Sequence, residues 1–222
     1  MKRLLQFRKR EGTINHELLL RLGRELEARC SKTEGTGHSF IHPDDVGDVL
    51  QAKHLRELFS SFSWYSEDDR VFLYQSMRLI ICILILMRWE DWEQFHAYFF
   101  YPVPGFRRPR CTDEKLPILN ADFFEQAPPD FSRSFLLHQY TFKPVFIHEN
   151  SHLKYSTDHR LPFLQIVRLQ DIDSAQGVVE RVRIERRFLY YANQTFNHSV
   201  RTTGAAKASL LTILLLATSH GL

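Results

Sequence analysis

Apolar residues recur at helical spacing through the earlier part of the chain and at strand spacing around residues 161–184. Residues 15–30 place Leu18, Leu19, Leu22 and Leu26 on one face, which predicts an amphipathic helix. Residues 32–38, KTEGTGH, read as a loop. Pro43, Asp44 and Asp45 read as a helix start, and a helix over 48–62 turns Leu50, His54, Leu55, Leu58, Phe59 and Phe62 inward. The strongest helical signal covers 67–88. Glu67, Asp68 and Asp69 open it and Arg88 closes it, both matching the helix dipole. Within it, LIICILILM at 79–87 is apolar on every side. That run is too short for a bilayer, which needs about 20 residues. It predicts a central helix buried all round. Trp89, Trp92, Phe95, Phe99 and Phe100 continue the packing on a short further helix.

Residues 102–109, PVPGFRRP, break the pattern, and Arg107, Arg108 and Arg110 there read as a solvated basic loop. A helical turn is expected at 121–126 and a helix at 130–141. Extended chain follows at 143–147. Two strand-like runs, 163–169 and 178–184, then flank a polar turn built from Asp171, Asp173, Ser174 and Gly177. Val182, Arg183, Ile184 and Glu185 alternate apolar and charged, the period of a half-buried strand.

Composition narrows the classes. The 222 residues include 18 Phe and 8 Tyr, ample for a packed core and against disorder. A net charge of +3, without a basic block, gives no ground for nucleic-acid binding. Cys30, Cys82 and Cys111 are widely spaced without a C-x-x-C pair, and Cys82 sits in an apolar run where a reduced, buried thiol is expected. The start, MKRLLQFRKREG, is basic but lacks an apolar stretch of signal-peptide length, which makes an intracellular, cytoplasmic location the expectation. Asn193 and Asn197 fit the glycosylation pattern but mean little inside a cell.

The hairpin at 161–184 resembles the opening of a protein kinase catalytic domain, in particular the kinase-like proteins of filamentous fungi, where a helical region ends in "LPF" before a glycine-rich loop. Phe135, Leu136 and Gln139 resemble the "FL-x-x-Q" element that precedes it in that family. The resemblance implies a G-x-G-x-x-G-x-V loop whose glycines let the backbone close over nucleotide phosphates. The slots hold Ile172, Ser174 and Gly177, with Val179 where the valine covers adenine. Only Gly177 is glycine. Ile172 resists a positive-φ turn, and Asp171 and Asp173 repel phosphate. Lys207, in Ala205-Ala206-Lys207, is the candidate for the family's third-strand lysine. Gly177, Val179 and Lys207 therefore mark a vestigial ATP site. No H-R-D and no D-F-G follow, so the base and metal ligands of phosphoryl transfer are lacking and the chain reads as truncated before the catalytic loop.

One motif competes. His148-Glu149-Asn150-Ser151-His152 is a literal H-E-x-x-H, with Asp158 beyond it. On a helix, His148 and His152 would share a face and hold zinc, with Glu149 as general base and Asp158 as third ligand. The preceding KPVFI reads as extended, Asn150 and Ser151 are poor helix formers, and Tyr155 replaces the glycine that zincins of this spacing use. No G-x-S-x-G elbow or Walker loop occurs.

The sequence thus predicts an α+β protein: a helical region 1–142, a strand-rich segment 143–207 resembling the first strands of a kinase N-lobe, and an apolar tail 208–222. It is expected to be no enzyme, to need no cofactor or metal, and to serve as a non-catalytic interaction or regulatory region. A zinc metalloprotease and a nucleotide-binding pseudokinase fragment are the alternatives. The tail segment ASLLTILLLA lacks charge and proline, which points to a protein partner or self-association rather than a membrane span.

Overall fold

The computed structural model describes residues 13–62, 65–101, 109–125, 127–148, 159–174 and 177–190. The tail, Lys207 and residues 149–158 lie outside them. The protein is α+β, mostly helical before residue 143 and with short strands after it. Two compact units are present: Met1–Arg29 with Pro43–Phe142, and Cys30–His42 with Lys143–Leu222.

The first unit begins with helix α1 (His16–Arg29), where Leu18, Leu19, Leu22 and Leu26 are all buried as their spacing requires. The inward set at 48–62 is also largely seen: Leu50, Leu55, Leu58, Phe59 and Phe62 are buried, and His54 is half-buried. The single helix expected there is instead two, α2 (Pro43–Val49) and α3 (Ala52–Phe59). Gln51 is extended, with φ −95° and ψ 160°. His54 Nδ1 lies 2.9 Å from the Val49 carbonyl oxygen and 3.3 Å from the Gln51 nitrogen. The imidazole therefore bridges the break in either tautomer, donating to the carbonyl or accepting from the amide.

The helix expected over 67–88 is likewise divided, into α4 (Glu67–Ser76) and α5 (Arg78–Leu86). Ser66 and Asp69 form a reciprocal capping box at the start of α4: the Asp69 amide donates to Ser66 Oγ, and the Ser66 amide to Asp69 Oδ2 at 2.7 Å. Met77, with φ −136° and ψ 18°, interrupts the path. In a continuous helix the amides of Leu79 and Ile80 would bond carbonyls four residues back. Here they donate to the Asp113 carboxylate, at 2.9 and 3.1 Å. A distant acid thus caps α5 where its dipole is positive. Nothing local announces that cap.

Helix α5 is buried all round as its composition demands, with Ile80, Ile81, Cys82, Ile83, Leu84 and Ile85 inaccessible. It ends in a Schellman motif. Trp89 N–H reaches the Leu84 carbonyl and Arg88 N–H the Ile85 carbonyl, each at 3.0 Å, while Arg88 takes the left-handed φ of 54°. Against α5 lies α1, whose Gly23 stands where a Cβ would sit 3.6 Å from Ile85 Cγ2. Helix α6 (Phe95–Phe99), led in by a 3-10 turn at Trp92–Gln94, carries the aromatic core. Phe59 meets Trp92 at 5.8 Å, Phe95 meets Phe99 at 5.3 Å, and Phe99 meets Phe135 at 5.6 Å between ring centroids. A 3-10 turn at Ala121–Phe124 and helix α7 (Pro129–Phe142) match the expectation for that stretch.

The second unit has three strand pairs among its described residues. Strands β1 (Ser31–Lys32) and β2 (Ser39–Phe40) are antiparallel, so the stretch read as a loop is a small hairpin. Gly35 and Gly37 take φ of 86° and 68° in its turn, a region only glycine enters without strain. Strand β3 (Ile147–His148) is one half of a parallel pair. Strands β4 (Phe163–Ser174) and β5 (Gly177–Ile184) form the antiparallel hairpin the alternation predicted. Phe163, Val182, Ile184 and β6 (Leu189–Tyr190), through Leu189, supply the buried cluster, with Ile147, Leu161 and Ile166 packed against it. Strand β6 completes the parallel pair with β3.

One boundary of the hairpin differs from expectation. Asp171, Asp173 and Ser174 were expected in the turn, yet β4 continues through them, and Asp173 pairs with Val178 and Ser174 with Gly177. A register irregularity between Arg168 and Asp173 takes up the intervening residues, so the reversal falls after Ser174.

Candidate functional site

The residues assigned to a nucleotide site lie on the hairpin or outside the described residues. Gly177 opens β5 and pairs with Ser174, and Val179 follows on the same strand within the irregular stretch of register. Ile172 stands on β4. Lys207 lies outside the described residues.

His148, the first residue of the H-E-x-x-H match, stands on β3 and not on a helix. Its ring stacks on Tyr190 at 5.0 Å with planes 15° apart. Val145 donates its amide to the Arg160 carbonyl at 3.1 Å, which keeps the approach to His148 out of helical pairing. Glu149, His152 and Asp158 lie outside the described residues. A strand directs successive side chains to opposite faces, so His148 does not begin the helical array that zincin chemistry uses. Among the described residues no cluster of three or more His, Cys, Asp or Glu is placed to hold a metal ion.

Two of the three thiols are poor nucleophiles. Cys82 and Cys111 are both buried. Burial, with the Asp113 charge second, raises the Cys82 thiol. Burial pushes Cys111 up to about 11. Both stay protonated at neutral pH, and the thiolate is the reactive form.

Arg110 was read as part of a solvated loop, and the structure corrects this. It is half-buried, with Nη2 donating to the Phe123 carbonyl at 2.7 Å and Nη1 to the Tyr98 carbonyl at 3.4 Å. Its guanidinium lies over the Phe123 ring, 4.9 Å from the centroid. Arg110 forms one wall of an open cleft of about 510 Å³ that also involves Cys111, Lys115, Pro117, Leu119 and Phe123. Lys115 Nζ donates to the Arg110 carbonyl at 3.3 Å. Beneath the cleft, the Ile118 amide donates to Gln139 Oε1 at 2.7 Å and Gln139 Nε2 returns a bond to the Ile118 carbonyl at 2.9 Å. Gln139, the glutamine of the "FL-x-x-Q" element, is thus a fully buried clamp on the cleft floor.

No family model, curated protein or solved structure matches this chain.

Sequence reasoning missed this cleft. Its two cations and its apolar residues come from a stretch with no periodic pattern, and only Leu119, an isolated leucine after Pro117 and Ile118, hinted at an exposed apolar site. Among the described residues, no helix is long and apolar enough to cross a membrane.

Proposed function

We propose that this chain is a non-catalytic interaction or regulatory region of a protein-kinase-like protein, working inside the cell through a protein partner or a second copy of itself. The observation that carries the reading is how four polar groups of the first unit are used. Asp113 caps α5, Gln139 clamps Ile118, Arg110 binds two carbonyls and Glu67 sits between Arg56 and Arg70. Each is engaged by the fold itself. A catalytic centre, by contrast, holds shifted groups facing a ligand.

The kinase-like part of the proposal rests on the hairpin and its residues. Ile172 and Ser174 in glycine slots, with Asp171 and Asp173 beside them, favour a surface that binds no nucleotide over an ATP site. Mg-ATP is therefore expected to leave the melting temperature unchanged. A ligand present at 100 times its dissociation constant would add about 2.7 kcal/mol, which a thermal melt reads easily. A saturable upward shift that disappears in Lys207→Ala would overturn the nucleotide-free reading. The interaction itself is tested by affinity capture of the intact protein from its own cells and by its mass in solution. A clean monomer that retains nothing stoichiometrically would remove the interaction reading.

A further inference from the structure

We infer that the cleft bounded by Arg110, Lys115, Pro117, Leu119 and Phe123 is a docking site for an acidic linear peptide carrying a large apolar side chain. This rests on the interaction reading above and names the partner's chemistry.

The cleft has the volume of a ligand site, about 510 Å³, within the usual range of roughly 300–1,000 Å³. Among the described residues its lining holds two cations, Arg110 and Lys115, and no carboxylate. The nearby Asp113 aims its two oxygens at the amides of Leu79 and Ile80, at the start of α5. Arg110 contributes a fixed charge: both its Nη atoms are engaged by carbonyls, and the guanidinium lies over the Phe123 ring. Lys115 is exposed and spends one bond on the Arg110 carbonyl, and an ammonium has three donors. It can reach a carboxylate without losing its place.

Leu119 supplies the apolar half. It is 81% exposed, the most exposed large apolar side chain among those described. Its backbone is fixed next to Ile118, whose amide and carbonyl Gln139 holds. A leucine presented to water on a clamped segment, beside Pro117 and Phe123, gains by covering. The cleft is open, which suits a chain lying across it better than a small molecule enclosed within it. Positive charge beside exposed apolar side chains selects an acidic peptide with an aliphatic or aromatic anchor.

The experiment uses the full chain and three fluorescent peptides: one of alternating Glu and Leu, one with Lys in place of Glu, and one with Ser in place of Leu. The Glu/Leu peptide is expected to raise anisotropy saturably and the other two to bind at least about tenfold more weakly, a difference of about 1.4 kcal/mol. Leu119→Asp and Lys115→Glu are each expected to weaken the Glu/Leu peptide by about tenfold while the melting temperature holds, since both side chains are exposed. Absence of saturable binding, equal binding of the Lys peptide, or unchanged affinity in both variants would overturn the site. If the double variant still captures the same cellular partner as the parent chain, the cleft proposal fails while the interaction reading stands. Loss of all partner capture in the parent chain fails the reading itself.

Discussion

Gln139 shows how a single side chain can hold a segment that has no regular structure. Its amide satisfies both polar groups of Ile118 inside the first unit, where Gln139 is fully buried and Ile118 nearly so. Gln139→Leu keeps much of the volume but leaves a buried amide and a buried carbonyl unpaired. Such groups cost about 1–3 kcal/mol each, so a loss of about 3 kcal/mol is expected in urea unfolding. A loss below about 0.5 kcal/mol would mean that the clamp is dispensable, since that is the scale of ordinary surface changes. Gly23 makes the opposite case. It is a helix-interior glycine with a helical φ, and a Cβ there would make ordinary contact with Ile85 Cγ2 at 3.6 Å. Gly23→Ala should raise stability by up to about 1 kcal/mol, the propensity difference between the two residues. A drop in melting temperature would show that α1 and α5 are packed too closely there for a methyl group.

At the scale of elements, α5 is the most legible piece of the chain and its start the least. Its burial follows from composition alone, because the eight consecutive apolar residues after Arg78 leave no face for water. Its separation from α4 follows from Asp113, a residue 34 positions beyond Leu79. Asp113→Ala should cost about 1–2 kcal/mol, the usual effect of removing a cap, whereas Asp113→Asn should restore only part of that, because its single carbonyl oxygen accepts one of the two amides. Equal losses in the two variants would point to the charge rather than the cap geometry. The break between α2 and α3 has the same character: His54 bridges it, and the extended Gln51 lets Leu50 and Leu55 both bury completely.

Over the whole molecule, acid sensitivity has an identifiable contributor. Glu67 accepts bonds from Arg70 and Arg56, and these, Arg70 first, hold its carboxyl down from 4.5 to about 2. A carboxyl lowered in the folded state stabilises above its unfolded value and loses that contribution as pH falls from about 4.5 toward 2. The melting temperature should therefore fall over that window, and less steeply in Glu67→Gln. The group is at the surface, so the difference should be small and should shrink in high salt. Identical acid profiles for the two proteins would show that Arg56 and Arg70 do not hold Glu67 in solution.

The amino-acid sequence by itself determined which residues leave water and the period on which they do so. Leu18, Leu22 and Leu26 on α1, Ile80–Ile85 on α5, and Val182 and Ile184 on β5 were legible because burial follows local pattern at 3.6 or 2 residues. The hairpin at 161–184 was legible for the same reason. Tertiary structure decided where long helical signals break, because the groups that end them, Asp113 above all, arrive from elsewhere in the chain. It also decided that Arg110 is a wall and not a solvated loop residue, and that Lys115 and Leu119 share a cleft with it. Those placements depend on hydrogen bonds to carbonyls of distant residues, which have no periodic trace in sequence because every residue carries the same backbone groups.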